Sequence, residues 1–144
     1  MILLDTNVLI DAFDPDAPFH TWASSLLRES LLGDGAAINP VILAELCVGD
    51  AHPDTVAERL QDLGVVLLDL PARASLRCAQ AYAAFLENRR KQSGPAAPKI
   101  PLPDFFIGAH AAFLKLPLAT ADAGRYRTYF PEIELLTPPD PGTL

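Results

Sequence analysis

The chain is poor in the residues on which disulfide, zinc and membrane arguments rest. Its two cysteines, Cys47 and Cys78, stand alone in 144 residues, with no CxxC pair and no finger-like spacing. A disulfide framework and a structural zinc site are thereby excluded, and both thiols are expected as buried groups in a reducing compartment. No apolar run approaches the ~18 residues of a membrane span. The first residues lack the basic start and small-residue cleavage site of a signal peptide, so a cytoplasmic protein without a membrane partner is expected. Basic residues are scarce as well: 11 Lys and Arg stand against 18 Asp and Glu, a net charge of −7. Such a chain has no global attraction for nucleic acid, and any contact with phosphate must be local and helped by a bound cation.

Half of the residues are apolar and mean hydropathy is +0.21. This is the composition of a globular chain, and its length predicts a single domain, residues 1–144. Strand and helix signals alternate. Residues 2–4 read as a buried strand and 6–13 as a short helix capped by Asp5 or Thr6. Pro18 opens a helix to about Leu32, where "GDG" stops it. Residues 36–39 read as a strand, and Asn39 caps a helix that begins at Pro40 and runs to Gly49. A helix over 53–62, a strand over 65–70 and a long helix from Pro71 follow. Beyond the Pro-rich loop "QSGPAAPKIPLP" come a helix from Pro103 to about Leu116, a strand at 118–120, a helical turn and a strand at 133–137. This order predicts an α/β fold with a central parallel sheet covered on both faces, its site beyond the carboxyl ends of the strands.

Asp5 sits at such an end, and three further acids share its apolar company. Glu45 lies in "PVILAELCVG", Asp104 in "PLPDFFIGAHAAF", and Asp122 follows the strand "LAT". Singly, Asp5, Asp104 and Asp122 have an ordinary reading as helix caps or acids at a helix N-terminus, worth about 1 kcal/mol each. Glu45 stands beyond capping reach, one turn inside an apolar helix with no basic residue beside it. It either finds a partner or reaches solvent along a narrow polar stripe. Jointly, strand ends at 5 and 120 and helix starts at 40 and 103 can meet on one edge of a parallel sheet. Four carboxylates there repel: two unit charges ~4 Å apart cost about 4 kcal/mol at an effective dielectric near 20. A divalent cation relieves this, and an all-carboxylate set suits Mg²⁺ or Mn²⁺ rather than zinc. Such an ion can activate water for attack on a phosphodiester.

At these residues the sequence resembles the PIN-domain family, and within it the VapC-type toxins of prokaryotic toxin–antitoxin pairs. The matching stretches are "LLDTNVLI" (3–10), "NPVILAEL" (39–46), "PDFFIGAHA" (103–111) and "LATADAGRYRTYFP" (118–131), in family order. The resemblance implies a three-layer α/β/α sandwich and an Mg²⁺- or Mn²⁺-dependent endoribonuclease. It assigns Asp5, Glu45, Asp104 and Asp122 to the acidic quartet: the three Asp as metal ligands, the Glu binding directly or through water. It assigns Asn7 and Thr120 to the polar groups that hold those carboxylates. It also implies a homodimer, a cognate antitoxin that blocks the acidic site, and an RNA substrate of the tRNA or rRNA class. Ala121 departs from the family, where a larger polar or basic residue is common.

Arg125 and Arg127 are the basic residues best placed to touch an RNA backbone. Arg89, Arg90, Lys91 and Lys99 read first as solvated charges at and beyond a helix C-terminus. His110 is expected to pack or face solvent away from Asp104, and His20 and His52 form no site with it. Ser24 and Ser25 lie mid-helix without an elbow, so a hydrolase triad has no footing. Gly108 and Ala112 are spaced for close helix packing. Two other readings compete: a catalytically silent PIN domain serving as an RNA- or protein-binding module, and a phosphotransferase with an Asp nucleophile. The latter wants a second Asp where Asn7 stands.

Overall fold

Strands buried on both faces of a sheet need no polar alternation, and the strands of this protein have none. They are β1 (Ile2–Leu4), β2 (Ala36–Ile38), β3 (Val66–Leu67), β4 (Leu118–Ala119) and β5 (Leu135–Leu136). In the computed structural model, which describes residues 1–93 and 102–140, all pair in parallel in the order β3-β2-β1-β4-β5. Between them run α1 (Thr6–Phe13), α2 (His20–Leu32), α3 (Pro40–Val48), α4 (Val56–Leu63), α5 (Ala74–Ser93), α6 (Pro103–Leu114) and α7 (Gly124–Tyr129). The expected three-layer α/β/α sandwich is what the chain adopts. The chain steps outward from β1 to β3, then returns across the sheet to β4. Right-handed crossovers therefore put α1–α4 on one face and α5–α7 on the other.

The order reverses between β1 and β4, and at that point the strand ends splay into a crevice. Register brings Leu3 opposite Leu118 and Leu4 opposite Ala119. The Asp5 N–H extends the ladder by one bond to the Ala119 carbonyl, at 2.9 Å. Asp5 and Thr120 therefore leave their strands side by side.

Several boundaries shift from the sequence reading. The edge strands are shorter than 65–70 and 133–137, since each has one neighbour; beyond β3 the Leu68 N–H still reaches the Ile38 carbonyl at 2.8 Å. A turn closed by the His20 N–H on the Ala17 carbonyl delays α2 to His20, and Ala74 N–H on Pro71 does the same for α5. The helix expected over 53–62 opens as a 3-10 turn, Pro53–Thr55. Helix α6 stops at Leu114 because Lys115 turns left-handed, with φ 55°. Lys99 and most of the Pro-rich loop lie outside the described residues.

The core is continuous across both faces. Leu3, Leu4, Val8, Leu9, Ile38, Ile42, Ile107 and Leu118 are fully buried. On the α5–α7 side Phe85, Phe105, Tyr129 and Phe130 stack with ring centroids 5.3 to 6.1 Å apart. Arg77 closes this cluster, its guanidinium 4.7 Å from the Phe130 ring and bonded to Glu132 and the Tyr129 carbonyl. His110 is packed, not solvent-facing: it is wholly buried and its Nδ1 lies 3.1 Å from the Asn39 amide.

Gly108 packs against a ring rather than against a neighbouring helix. A Cβ there would lie 2.5 Å from a carbon of Phe130, which is itself 1% exposed and pinned under Arg77. Alanine favours a helix by about 1 kcal/mol over glycine, but a clash with an immobile ring costs about 1–3 kcal/mol. Gly108→Ala is expected to lower the urea midpoint; a midpoint at or above the wild type would show that the Phe130 ring can move aside.

Candidate metal and phosphate site

Asp5 ends β1 and caps α1, so its backbone belongs to the sheet and its side chain to the crevice. It is 6% exposed. Its Oδ1 accepts from the Thr6 N–H at 2.8 Å. Its Oδ2 accepts from the Thr120 hydroxyl at 2.8 Å, the Tyr126 hydroxyl at 3.1 Å and the Asn7 amide at 3.2 Å. Asn7 and Thr120, both named from sequence, tie the two strand ends together. The Asn7 Oδ1 accepts from the Ala121 N–H at 2.9 Å, and Thr120 Oγ1 from the Asp122 N–H at 3.0 Å. Tyr126 was missed. Its place within the motif that carries Asp122 was visible in the sequence, but its burial and its bond to Asp5 are set by a strand end 121 positions away.

The other three acids approach the same crevice from separate elements. Glu45, on α3, is exposed at the rim rather than buried among its apolar sequence neighbours, and its Oε1 accepts from the Thr6 hydroxyl at 2.9 Å. Asp104, in the first turn of α6, is partly buried and paired through Oδ2 with Arg125 Nη1. Asp122 is exposed just beyond β4. All four acids, with Arg125 and Tyr126, line one cavity of about 240 Å³. Arg127 is exposed and does not line it.

Electrostatics reflects this crowding. Burial raises the Asp5 carboxyl above its ordinary range, against the pull of Thr120 and the Thr6 N–H, and Asp104 adds repulsion. Glu45 is raised by partial desolvation and by Asp104 and Asp5. Asp104 is raised by desolvation despite its Arg125 partner. Tyr126 is raised, by burial and then by Asp5 and Asp104, so it stays a neutral phenol and a donor.

Among the described residues no three carboxylate, histidine or cysteine side chains converge closely enough to ligate one ion as they stand. The donor set still fits a hard divalent cation. Four carboxylates share the cavity, and Mg²⁺ needs only one or two of them beside waters and phosphate oxygens. Asp104 Oδ2 is paired with Arg125, which competes with a cation for that oxygen.

A family model described as "PIN domain" matches residues 2–131. No curated protein matches the chain. Among solved structures, FitAcB from Neisseria gonorrhoeae is 24% identical, with 100% of each chain covered and a TM-score of 0.65. VapBC2 from Rickettsia felis, bound to a DNA fragment from its promoter, is 21% identical over 96% of this chain and 100% of the other, at 0.63. Mycobacterium tuberculosis VapC20, described as a sarcin–ricin loop cleaving toxin, is 13% identical over 93% and 99%, at 0.63. At these identities the likeness is one of fold.

The raised carboxyls fix the sign of a pH effect. Between the ordinary carboxyl pKa near 4 and its raised folded value, Asp5 holds a proton in the folded chain that the unfolded chain has released. Folded-state stability from this group is then lost as pH rises through that window. In EDTA, wild-type stability should fall relative to Asp5→Asn as pH climbs from about 4, then level off. A difference in urea midpoints independent of pH would contradict it.

Proposed function

This chain is a member of the PIN-domain family, and on that premise we propose that it is an endoribonuclease dependent on Mg²⁺ or Mn²⁺, the toxin of a toxin–antitoxin pair. The observation that carries the reading is the shared cavity of Asp5, Glu45, Asp104 and Asp122 at the reversal point of the sheet. Asp5, Asp104 and Asp122 would hold the cation, with Glu45 at the rim binding it directly or through water. Bound there, the cation would orient a water toward the phosphodiester and neutralise the leaving oxygen. Asn7, Thr120 and Tyr126 orient Asp5 by saturating its Oδ2. Arg125, which lines the cavity, and Arg127, exposed two residues on, would take phosphate oxygens.

Partners follow the same reading. The substrate is an RNA of the tRNA or rRNA class; VapC20, described as cleaving the sarcin–ricin loop, supports the latter. The FitAcB and VapBC2 structures support an antitoxin. An apolar groove of about 600 Å³ adjoins the acidic cavity and shares Ile10 and Glu45 with it. Ile10 is 52% and Phe13 57% exposed there. An antitoxin segment laid in this groove would bury that surface and carry a basic side chain to the acids. A homodimer and a cytoplasmic setting complete the proposal. Among the described residues no helix is long and apolar enough to cross a membrane.

RNA cleavage should require Mg²⁺ or Mn²⁺, stop in EDTA, and fall about 100-fold or more in Asp5→Ala and Asp104→Ala, since even residues that only orient ligands cost 10–100-fold. No cleavage of total cellular RNA by the antitoxin-free wild type or either variant would favour the silent binding module. Phe13→Glu should retain cleavage yet fail to co-purify with the antitoxin of the neighbouring gene; undiminished co-purification would move the docking surface elsewhere.

A further inference from the structure

Arg125 differs from every other ion-paired arginine of the described chain in where its partner lies. Arg77 is anchored on two sides, by both Glu132 oxygens and the Tyr129 carbonyl, and lies over Phe130. Arg59 and Arg90 pair at the surface, outside the acidic cavity. Arg125 reaches into that cavity and meets Asp104 through a single nitrogen, a side chain about one-quarter exposed against one about one-third exposed. It projects from the start of a six-residue helix, next to Gly124, whose surroundings are open.

The four acids are not neutralised alike. Asp5 is held by an N–H, two hydroxyls and an amide, and Glu45 by a hydroxyl, all of them uncharged donors. Among the described residues Asp104 alone of the four is paired with a cation. The pair makes one contact where an Arg–carboxylate fork can make two.

We propose that Arg125 is a built-in counter-ion of the acidic site, displaced from Asp104 by the divalent cation and thereby released to bind substrate phosphate. This rests on the nuclease reading above and adds to it a coupling between two ligands. A divalent ion carries twice the charge of a guanidinium and approaches a carboxylate oxygen more closely, so it outcompetes Arg125 for Asp104. Once displaced, Arg125 has lost its one carboxylate partner, and a phosphate oxygen is a natural acceptor for its guanidinium. Metal and phosphate then favour each other, and linkage makes the coupling equal in both directions.

The test separates this role from simple packing because one variant should move two affinities in opposite directions. Mn²⁺ binding to the protein alone is measured by titration calorimetry or by the resonance of free Mn²⁺. Binding of a short phosphorothioate RNA is measured with and without Mn²⁺. Arg125→Ala is expected to bind Mn²⁺ several-fold tighter and the RNA several-fold more weakly, with most of the Mn²⁺ enhancement of RNA binding lost. Arg125→Gln keeps the stem and removes the charge, so it should tighten Mn²⁺ in the same direction; Arg125→Lys should stay near the wild type. Unchanged or weaker Mn²⁺ binding in folded Arg125→Ala and Arg125→Gln would overturn the proposal while leaving the nuclease reading intact. A wild type that binds no Mn²⁺ at all would remove both.

Discussion

Burying a carboxylate at the end of a core strand is expensive unless its oxygens are bonded, and that demand organises the acidic edge of this protein. The donors to Asp5 come from three places: Thr6 and Asn7 in α1, Thr120 after β4, and Tyr126 in α7. Satisfying one side chain thus fastens the first residues of the chain to a segment more than 110 positions away. The parallel ladder between β1 and β4 sets the register that makes this possible. A slip of one residue would turn Asp5 into the layer now filled by its neighbours and leave Thr120 without its acceptor.

A second polar joint links the helices that bring Glu45 and Asp104. Asn39 caps α3 by accepting the Ile42 N–H at 3.0 Å, and its amide donates to His110 Nδ1. That bond places the imidazole proton on Nε2, a buried atom with no hydrogen-bond partner among the described residues. Desolvation holds the ring neutral by lowering its pKa. Asn39 and His110 therefore couple the start of the helix bearing Glu45 to the interior of the helix bearing Asp104. Neither residue lines the cavity, yet their bond ties together two helices that do.

Helix α7 shows how little backbone such a site requires. Over six residues it supplies Arg125 to Asp104 and Tyr126 to Asp5, while Phe130, just beyond it, fills the notch left by Gly108. The wall of the acidic cavity and the aromatic core of the α5–α7 layer are thus one packed unit. Strain in the core at Gly108 would be felt at Tyr126, and through it at the carboxylate it orients.

Much of this was legible one residue at a time. Apolar runs without alternation specified parallel strands, Pro and Gly punctuation bounded most helices, and the four quoted motifs pointed to Asp5, Glu45, Asp104 and Asp122. Local pattern left alternatives open where burial depends on what packs from elsewhere. Glu45 has almost wholly apolar neighbours along the chain, yet it is exposed, because in α3 only Ile42 is fully buried and Val48 is 90% exposed. Gly108 was legible as a close approach, but its partner, a ring 22 residues onward, was not. Hydrophobic periodicity encodes which elements form, since it is a property of neighbours in the chain. The pairing of Arg125 with Asp104 and the bond from Tyr126 to Asp5 arose only when distant elements met, because a hydrogen bond is selected by distance in space and carries no signature in sequence spacing.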